Sequence, residues 1–143
     1  MEGIMKRLFP LFFVLPVLPL LLGMGSLTGG GSPGKIPQPV KKFTATFIDQ
    51  MDVITECRDV SIEGETFLEG KRGDGTFTIS FDNINYMLFF LKEGRLTGIV
   101  KLHDGNTVEL TLNKDHKAYG RTKYGTFQIK LSNLKKMIIG RSP

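Results

Sequence analysis

Few side chains in this sequence have the types and spacing that catalysis or metal binding requires. The two histidines, His103 and His116, each stand beside an aspartate, and imidazole with carboxylate is a common ligand combination for metals. Their spacing matches no metal motif, and both pairs fall in segments with the composition of turns. We therefore interpret both histidines as turn residues and predict no metal site.

The single cysteine, Cys57, limits the covalent and metal chemistry further. One cysteine excludes a disulfide within the chain and a cysteine-rich zinc site. We interpret Cys57 as a small buried apolar side chain, with an intermolecular disulfide or a reactive thiol as the alternatives. A group of acidic residues near Cys57 lacks the glycine and the alternating spacing of a calcium loop; its members are Asp49, Asp52, Glu56 and Asp59.

The sequence contains none of the usual signatures of enzymes. No serine–histidine–aspartate set, cysteine–histidine motif or phosphate-binding glycine loop is recognisable. Acid–base or nucleophilic chemistry would fall to carboxylates, lysines or tyrosines, and the sequence singles out none of them. A net charge of +5 is too small an excess to require nucleic acid as a partner. We predict a protein that is not an enzyme, has no cofactor and binds no nucleic acid. A small hydrolase is the least favoured alternative.

The N-terminal segment has the pattern of a secretory signal peptide. Lys6 and Arg7 precede an apolar run over residues 8–22, and small residues follow before Ser26. Three prolines interrupt this run, whereas a membrane-spanning helix is usually longer and less broken. We predict a signal peptide over residues 1–25 and export to the periplasm or the extracellular space. An uncleaved anchor that tethers the protein to a membrane is the alternative.

Beyond this segment, the composition predicts a linker followed by a β-domain. Glycine, serine and proline dominate residues 26–42, as in flexible linkers. From Phe43 onward, apolar and polar residues alternate, for example over residues 107–112. Asp104-Gly105 lies between two alternating runs and predicts a tight hairpin. We predict an all-β domain over residues 43–140.

One phrase of the sequence occurs twice. GTFTISFDNINYMLF begins at Gly75, and GTFQIKLSNLKKMII begins fifty residues later at Gly125. The alignment pairs Phe77 with Phe127, and the other apolar positions also match. Further matched pairs are Ile79 with Ile129, Asn83 with Asn133, and Met87 with Met137.

The repeated phrase predicts two related units, at about 43–91 and 96–140. Each unit would contain a hairpin, a glycine-rich connection, a strand, a short polar turn and a final strand. A unit of this size with one apolar face cannot bury that face alone. We therefore expect an antiparallel β-sandwich or barrel, with Phe77 and Phe127 in a shared interior.

Charge is distributed unevenly between the two units. Residues 26–100 contain eight basic and ten acidic side chains, a net charge of −2, whereas residues 101–143 contain nine basic and three acidic ones, a net charge of +6. A basic half can dock on anionic lipid headgroups, acidic glycans or acidic proteins, although solvated surface is the simpler meaning. We predict contact residues at one turn-and-strand rim: Lys114, Lys117, Arg121, Lys123 and Tyr124.

The C-terminal unit resembles small exported β-domains of bacterial envelope proteins of unknown function. The resemblance is carried by Tyr124-GTFQIKLSNLKKMII and the preceding hairpin KLHDGNTVEL, and it extends over residues 43–139. It implies a non-catalytic module and assigns no functional residues. We therefore expect an interaction module that presents a sheet edge or loop rim to an envelope protein or an anionic surface. A structural subunit that self-associates through edge strands is the alternative.

Overall fold

The structure is a computed structural model and describes residues 35–141. The predicted signal peptide and most of the predicted linker lie outside the described residues. No helix in the described part of the chain is long and apolar enough to cross a membrane. The strands are β1 (Phe43–Asp49), β2 (Ile54–Ile62), β3 (Phe67–Arg72), β4 (Gly75–Ser80), β5 (Ile84–Lys92), β6 (Arg95–Leu102), β7 (Thr107–Leu112), β8 (Lys117–Thr122), β9 (Gly125–Lys130) and β10 (Leu134–Arg141).

All ten strands belong to one antiparallel sheet that is curled into a half-barrel. Their order across the sheet is β4-β3-β7-β6-β5-β10-β1-β2-β8-β9. The predicted all-β antiparallel class is therefore confirmed. The two polar turns of the repeated phrase are single 3-10 turns, Phe81–Asn83 before β5 and Leu131–Asn133 before β10.

The strand order is symmetric about its centre. Each of the first five strands has a counterpart among the last five, β1 with β6, β4 with β9 and so on. If every strand is replaced by its counterpart, the same order is obtained from the opposite edge of the sheet. The centre lies between β5 and β10, where Met87 is paired directly with Met137. Each unit also lends a hairpin to the other: β3–β4 pairs with β7, and β8–β9 pairs with β2. The repeated sequence therefore builds one sheet with an internal pseudo-twofold axis.

The core lies on one face of the curled sheet because apolar residues alternate along the strands. In β1, Phe43, Ala45 and Phe47 are buried, whereas the intervening threonines are only partly buried. Met87 and Met137 are completely buried at the pseudo-twofold axis. The two units thus share one hydrophobic core.

Phe77 and Phe127 differ although their sequences match. The Phe127 ring packs against Phe47, with ring centroids 5.4 Å apart. Phe77 remains 44% exposed, so the expectation that it lies in the interior is wrong. In the second unit, Val100 occupies the place of Phe47, and its smaller side chain provides less surface to cover a ring. The core is consequently less complete at β4 than at β9.

The hairpin turns follow the sequence. Asp104-Gly105 joins β6 and β7, with Gly105 at a φ of 93° and its N–H donating to the carbonyl of Leu102. Part of the predicted linker packs against the domain, since Ile36 and Pro39 are buried. Pro37 lies beside Gly64 in the turn that precedes β3. The compactly folded domain, which contains both repeat units, therefore begins at Ile36, seven residues before β1.

Candidate functional site

A broad concavity lies across four neighbouring strands of the described sheet. It has a volume of about 990 Å³ and crosses β10, β1, β2 and β8 to reach the turn between β8 and β9. Alternation places Thr44 and Thr46 on the sheet face opposite the core. We call this concavity the basic groove; its lining residues are 44–46, 54–58, 121–124 and 138–140.

Two arginines stand side by side in the basic groove. Arg58 on β2 is paired directly with Arg121 on β8, and on its other side it is paired with Thr44. Residues paired in this way have Cβ atoms about 5 Å apart and side chains on the same face. Neither guanidinium forms a salt bridge or hydrogen bond with any residue of the described chain. The pair is therefore a local concentration of positive charge that no carboxylate of the described chain binds directly.

The turn between β8 and β9 forms one wall of the groove. The Thr122 hydroxyl accepts a hydrogen bond from the Tyr124 N–H at 3.0 Å and donates to the Gly125 carbonyl at 3.1 Å. Gly125 has a φ of 145°, which side chains rarely tolerate. Lys123 Nζ lies 5.2 Å from the centroid of the Tyr124 ring, which is 86% exposed. The turn thus holds an ammonium group and an aromatic ring together at the rim.

Apolar side chains and one acid complete the groove. Ile54, which is 63% exposed, and Ile138 lie on the same face as the arginines. Glu56 is the one acidic lining residue, so the charged lining groups sum to +2. Cys57 also borders the groove but is buried, and burial raises the pKa of its thiol to about 11. A thiol with so high a pKa is a poor nucleophile near neutral pH.

The predicted contact residues divide into two sets. Arg121, Lys123 and Tyr124 line the basic groove. Lys117 lies at the opposite end of β8, where its N–H donates to Glu63 Oε2 at 2.8 Å. Lys114 is an exposed residue of the turn before β8. The four steps along the strand from Lys117 to Arg121 span about 13 Å, which separates the two sets.

Arg58 is the functional candidate that the sequence interpretation missed. It lies in the unit with net negative charge, where basic residues did not attract attention. Its relevance comes only from the pairing of β2 with β8, which joins the first unit to the second. Alternation alone would have placed Arg58 on the same face as Glu56 and Ile54, but not beside Arg121.

The predicted turn positions of the histidines agree with the backbone contacts. The His103 N–H donates to the Asn83 carbonyl at 2.9 Å, and the His116 carbonyl accepts from the Leu131 N–H at 2.9 Å. These contacts anchor each turn beside one of the two 3-10 turns. No group of three or more His, Cys, Asp or Glu residues within residues 35–141 is placed to hold a metal ion. Neither histidine lines the basic groove.

Comparison with known proteins places the chain in a family. The model of a family described as "Uncharacterised protein" matches residues 39–142. The chain belongs to this family. The match includes all ten strands and every residue that lines the basic groove. No curated protein and no solved structure matches the chain.

Proposed function

We propose that this chain is an exported, non-catalytic interaction module, and that its basic groove holds an acidic segment of a protein partner in the cell envelope. The observation that carries the proposal is the direct pairing of Arg58 with Arg121 without a carboxylate partner in the described chain. Like charges directly opposite each other in a sheet are destabilising. An anionic ligand between them would remove this repulsion.

The chemistry of the groove supports a carboxylate-rich peptide as the ligand. A guanidinium presents a planar fork of N–H donors that binds a carboxylate through two parallel hydrogen bonds. The neighbouring Ile54, Ile138 and Tyr124 offer apolar surface to side chains that flank the acidic ones. The ligand that fits this combination is an extended segment in which acidic and apolar residues alternate.

The position of Arg121 favours a protein segment over a lipid surface. A bilayer meets the side chains that protrude most. Arg58 is exposed, but its partner Arg121 is only partly exposed and lies within the groove, so a flat surface does not reach both guanidinium groups as readily as a peptide does. An extended peptide can enter a groove of about 990 Å³, which lies at the upper end of the range for ligand sites. Binding to anionic membranes is therefore the outcome that the experiment must separate from peptide binding.

The remaining parts of the proposal rest on the sequence. Export is inferred from the basic residues and apolar run of residues 1–25, and the absence of catalysis from the lack of nucleophile and acid–base motifs. Mass spectrometry of protein purified from its own cells tests export. We expect a mature N-terminus near Ser26, and an intact Met1 would contradict removal of a signal peptide.

Peptide binding tests the role of the groove. We would measure fluorescence anisotropy with a labelled peptide of alternating glutamate and leucine, and co-sedimentation with vesicles of anionic phospholipid. Charge-assisted hydrogen bonds contribute about 1.5–3 kcal/mol, so Arg58→Gln and Arg121→Gln should each weaken peptide binding about tenfold or more. Higher salt should weaken binding by the native protein.

Lys114→Gln is the matched control, because it removes the same charge from an exposed position outside the groove. We expect it to change the dissociation constant by no more than about twofold. Equal losses at Lys114 and Arg121 would show that only net charge matters. Stronger binding to vesicles than to the peptide would show that the ligand is a lipid surface.

A further inference from the structure

The sheet has two free edges, and they are equivalent under the internal symmetry. Among the described strands, β4 pairs only with β3, and β9 pairs only with β8. The two edge strands have closely related sequences, GTFTIS and GTFQIK. Each edge therefore serves as an internal control for the other.

The two edges differ in the features that prevent strands from pairing with other chains. Charged side chains, lysine above all, protect the edges of natural sheets. β9 ends in Lys130, and Lys123 lies two residues before its start; the turn before β4 has Gly73 at the position of Lys123 and one acid, Asp74. β4 contains no charged residue, and its first four residues, Gly75–Thr78, are all exposed. Within the described sheet, β4 is thus the unprotected edge.

The hydrogen-bonding phase of β4 follows from its pairing with β3. The Phe81 N–H donates to the Thr66 carbonyl at 2.9 Å, and alternate pairs along an antiparallel ladder are hydrogen-bonded. In the register of β3 with β4, Gly70 and Phe77 then form a hydrogen-bonded pair. Thr76 and Thr78 therefore direct their N–H and C=O groups away from β3, towards solvent.

We propose that β4 pairs antiparallel with β4 of a second copy of this chain, about a twofold axis at Phe77. In this register Thr76 of one copy lies opposite Thr78 of the other, so the outward-facing donors and acceptors meet each other. Phe77 lies opposite Phe77, and the two exposed rings form a cross-strand aromatic pair. β4 contains no charged residue, so this pairing brings no like charges opposite each other along the two strands.

The same pairing is unfavourable at the other edge. A twofold pairing of β9 about Phe127 would bring Lys123 and Lys130 of both copies to one interface. The Phe127 ring is also already packed against Phe47. Self-association is therefore specific to β4.

The dimer goes beyond the groove function and is compatible with it. The basic groove lies on β10, β1, β2 and β8, whereas β4 is the edge strand at the opposite end of the strand order. A dimer through β4 therefore leaves both grooves free and presents two of them. A ligand with two acidic segments would bind such a dimer with increased avidity.

Sedimentation velocity of the full chain over a range of concentrations tests the proposal. We expect a reversible dimer for the native protein. Thr78→Pro removes an outward-facing donor without removing a bond to β3, and should weaken the dimer about tenfold or more. Gln128→Pro is the matched control at the equivalent position of β9 and should leave the dimer unchanged.

A second measurement keeps the test valid if Thr78→Pro fails to fold. Phe77→Cys should form a disulfide-linked dimer under mild oxidation, because the twofold pairing brings position 77 of the two copies together. Gln128→Cys is the control and should form no disulfide-linked dimer after oxidation, because position 128 lies on β9, away from the proposed interface. A native protein that is monomeric at all concentrations would overturn the proposal, as would equal weakening by Thr78→Pro and Gln128→Pro.

Discussion

The close approach of β2 and β8 at Gly120 gives the most direct test of the hairpin exchange between the two units. A Cβ added to Gly120 would lie 2.6 Å from Cys57 Cβ, 3.0 Å from Cys57 Sγ and 3.1 Å from Val60 Cγ1. Favourable contacts between carbon atoms are about 3.5–4.0 Å. The strands must therefore separate by up to about 1 Å before an alanine fits.

The crowding at Gly120 arises from an irregularity in β2. The register of β2 with β8 shifts between Arg58 and Ser61, and Asp59 in this interval has a φ of 51°. The resulting bulge presents two core side chains, Cys57 and Val60, to the same glycine. The nearest atom, Cys57 Cβ, is attached directly to the backbone and cannot move by a rotamer change alone. Relief therefore requires a backbone shift.

These contacts give an expected cost for Gly120→Ala. Overpacking of a core costs about 1–3 kcal/mol, and replacement of a strand glycine by alanine returns about 0.5–1 kcal/mol. Since the backbone must move, we expect a net loss near 2 kcal/mol, which corresponds to a decrease in Tm of about 10 °C. Urea denaturation followed by circular dichroism measures the loss directly.

Two other glycines provide the controls for this measurement. Gly70 is the equivalent of Gly120 in the first unit, and a Cβ there would lie 2.8 Å from Leu112 Cδ2 and 2.9 Å from Leu110 Cβ. Gly70→Ala should therefore cost a similar amount. The closest atom to a Cβ at Gly75 is a carbonyl oxygen 3.7 Å away, so Gly75→Ala should cost nothing in packing and should stabilise the protein by up to about 1 kcal/mol. The reasoning fails if Gly120→Ala is as stable as Gly75→Ala.

Three further predictions concern polar groups that are buried or partly buried. Ser61 is completely buried and its Oγ has no hydrogen-bond partner among the described residues, so Ser61→Ala should stabilise the protein by about 1 kcal/mol. Ser80→Ala should destabilise the protein, because Ser80 Oγ accepts a hydrogen bond from the Asp82 N–H at 3.1 Å. Urea denaturation measures the change in stability of both variants. A loss of stability in Ser61→Ala would contradict the argument. Burial raises the pKa of the Cys57 thiol from 9.0 to about 11, so an unfolded chain ionises first as pH rises. The free energy of unfolding should therefore fall by roughly 2 kcal/mol between pH 9 and 11, and this decrease should be absent in Cys57→Ala.

Much of the fold followed from local sequence signals. Alternation of apolar residues predicted the strands, and Asp104-Gly105 predicted a hairpin, because both signals act between neighbouring residues. The pairing of β3 with β7 and of β2 with β8 was not predicted. Such pairings join distant segments, and nothing in a single strand specifies which distant edge it meets. The predicted interior position of Phe77 failed for a related reason, since its burial depends on the size of a side chain in another strand.

The same limit applied to the candidate site. Arg121, Lys123 and Tyr124 are close in sequence on one hairpin, so their common location could be predicted from the chain. Lys117 lies on the same strand, but four residues away, and the strand carries it out of the groove. Arg58 reaches the groove only through the exchange of hairpins between units. A site assembled across the pseudo-twofold axis is visible only once that pairing is known.

The position of β1 has a consequence for how the protein is made. β1 is the first described strand, yet it lies near the middle of the sheet between β2 and β10, the last described strand. Until the ribosome has synthesised β10, β1 therefore has one unpaired edge, and contacts so distant in sequence form slowly. Deletion of β10 would do more than shorten the sheet. The deletion would divide the sheet between β5 and β1 and leave one edge of each of these strands unpaired, which favours aggregation.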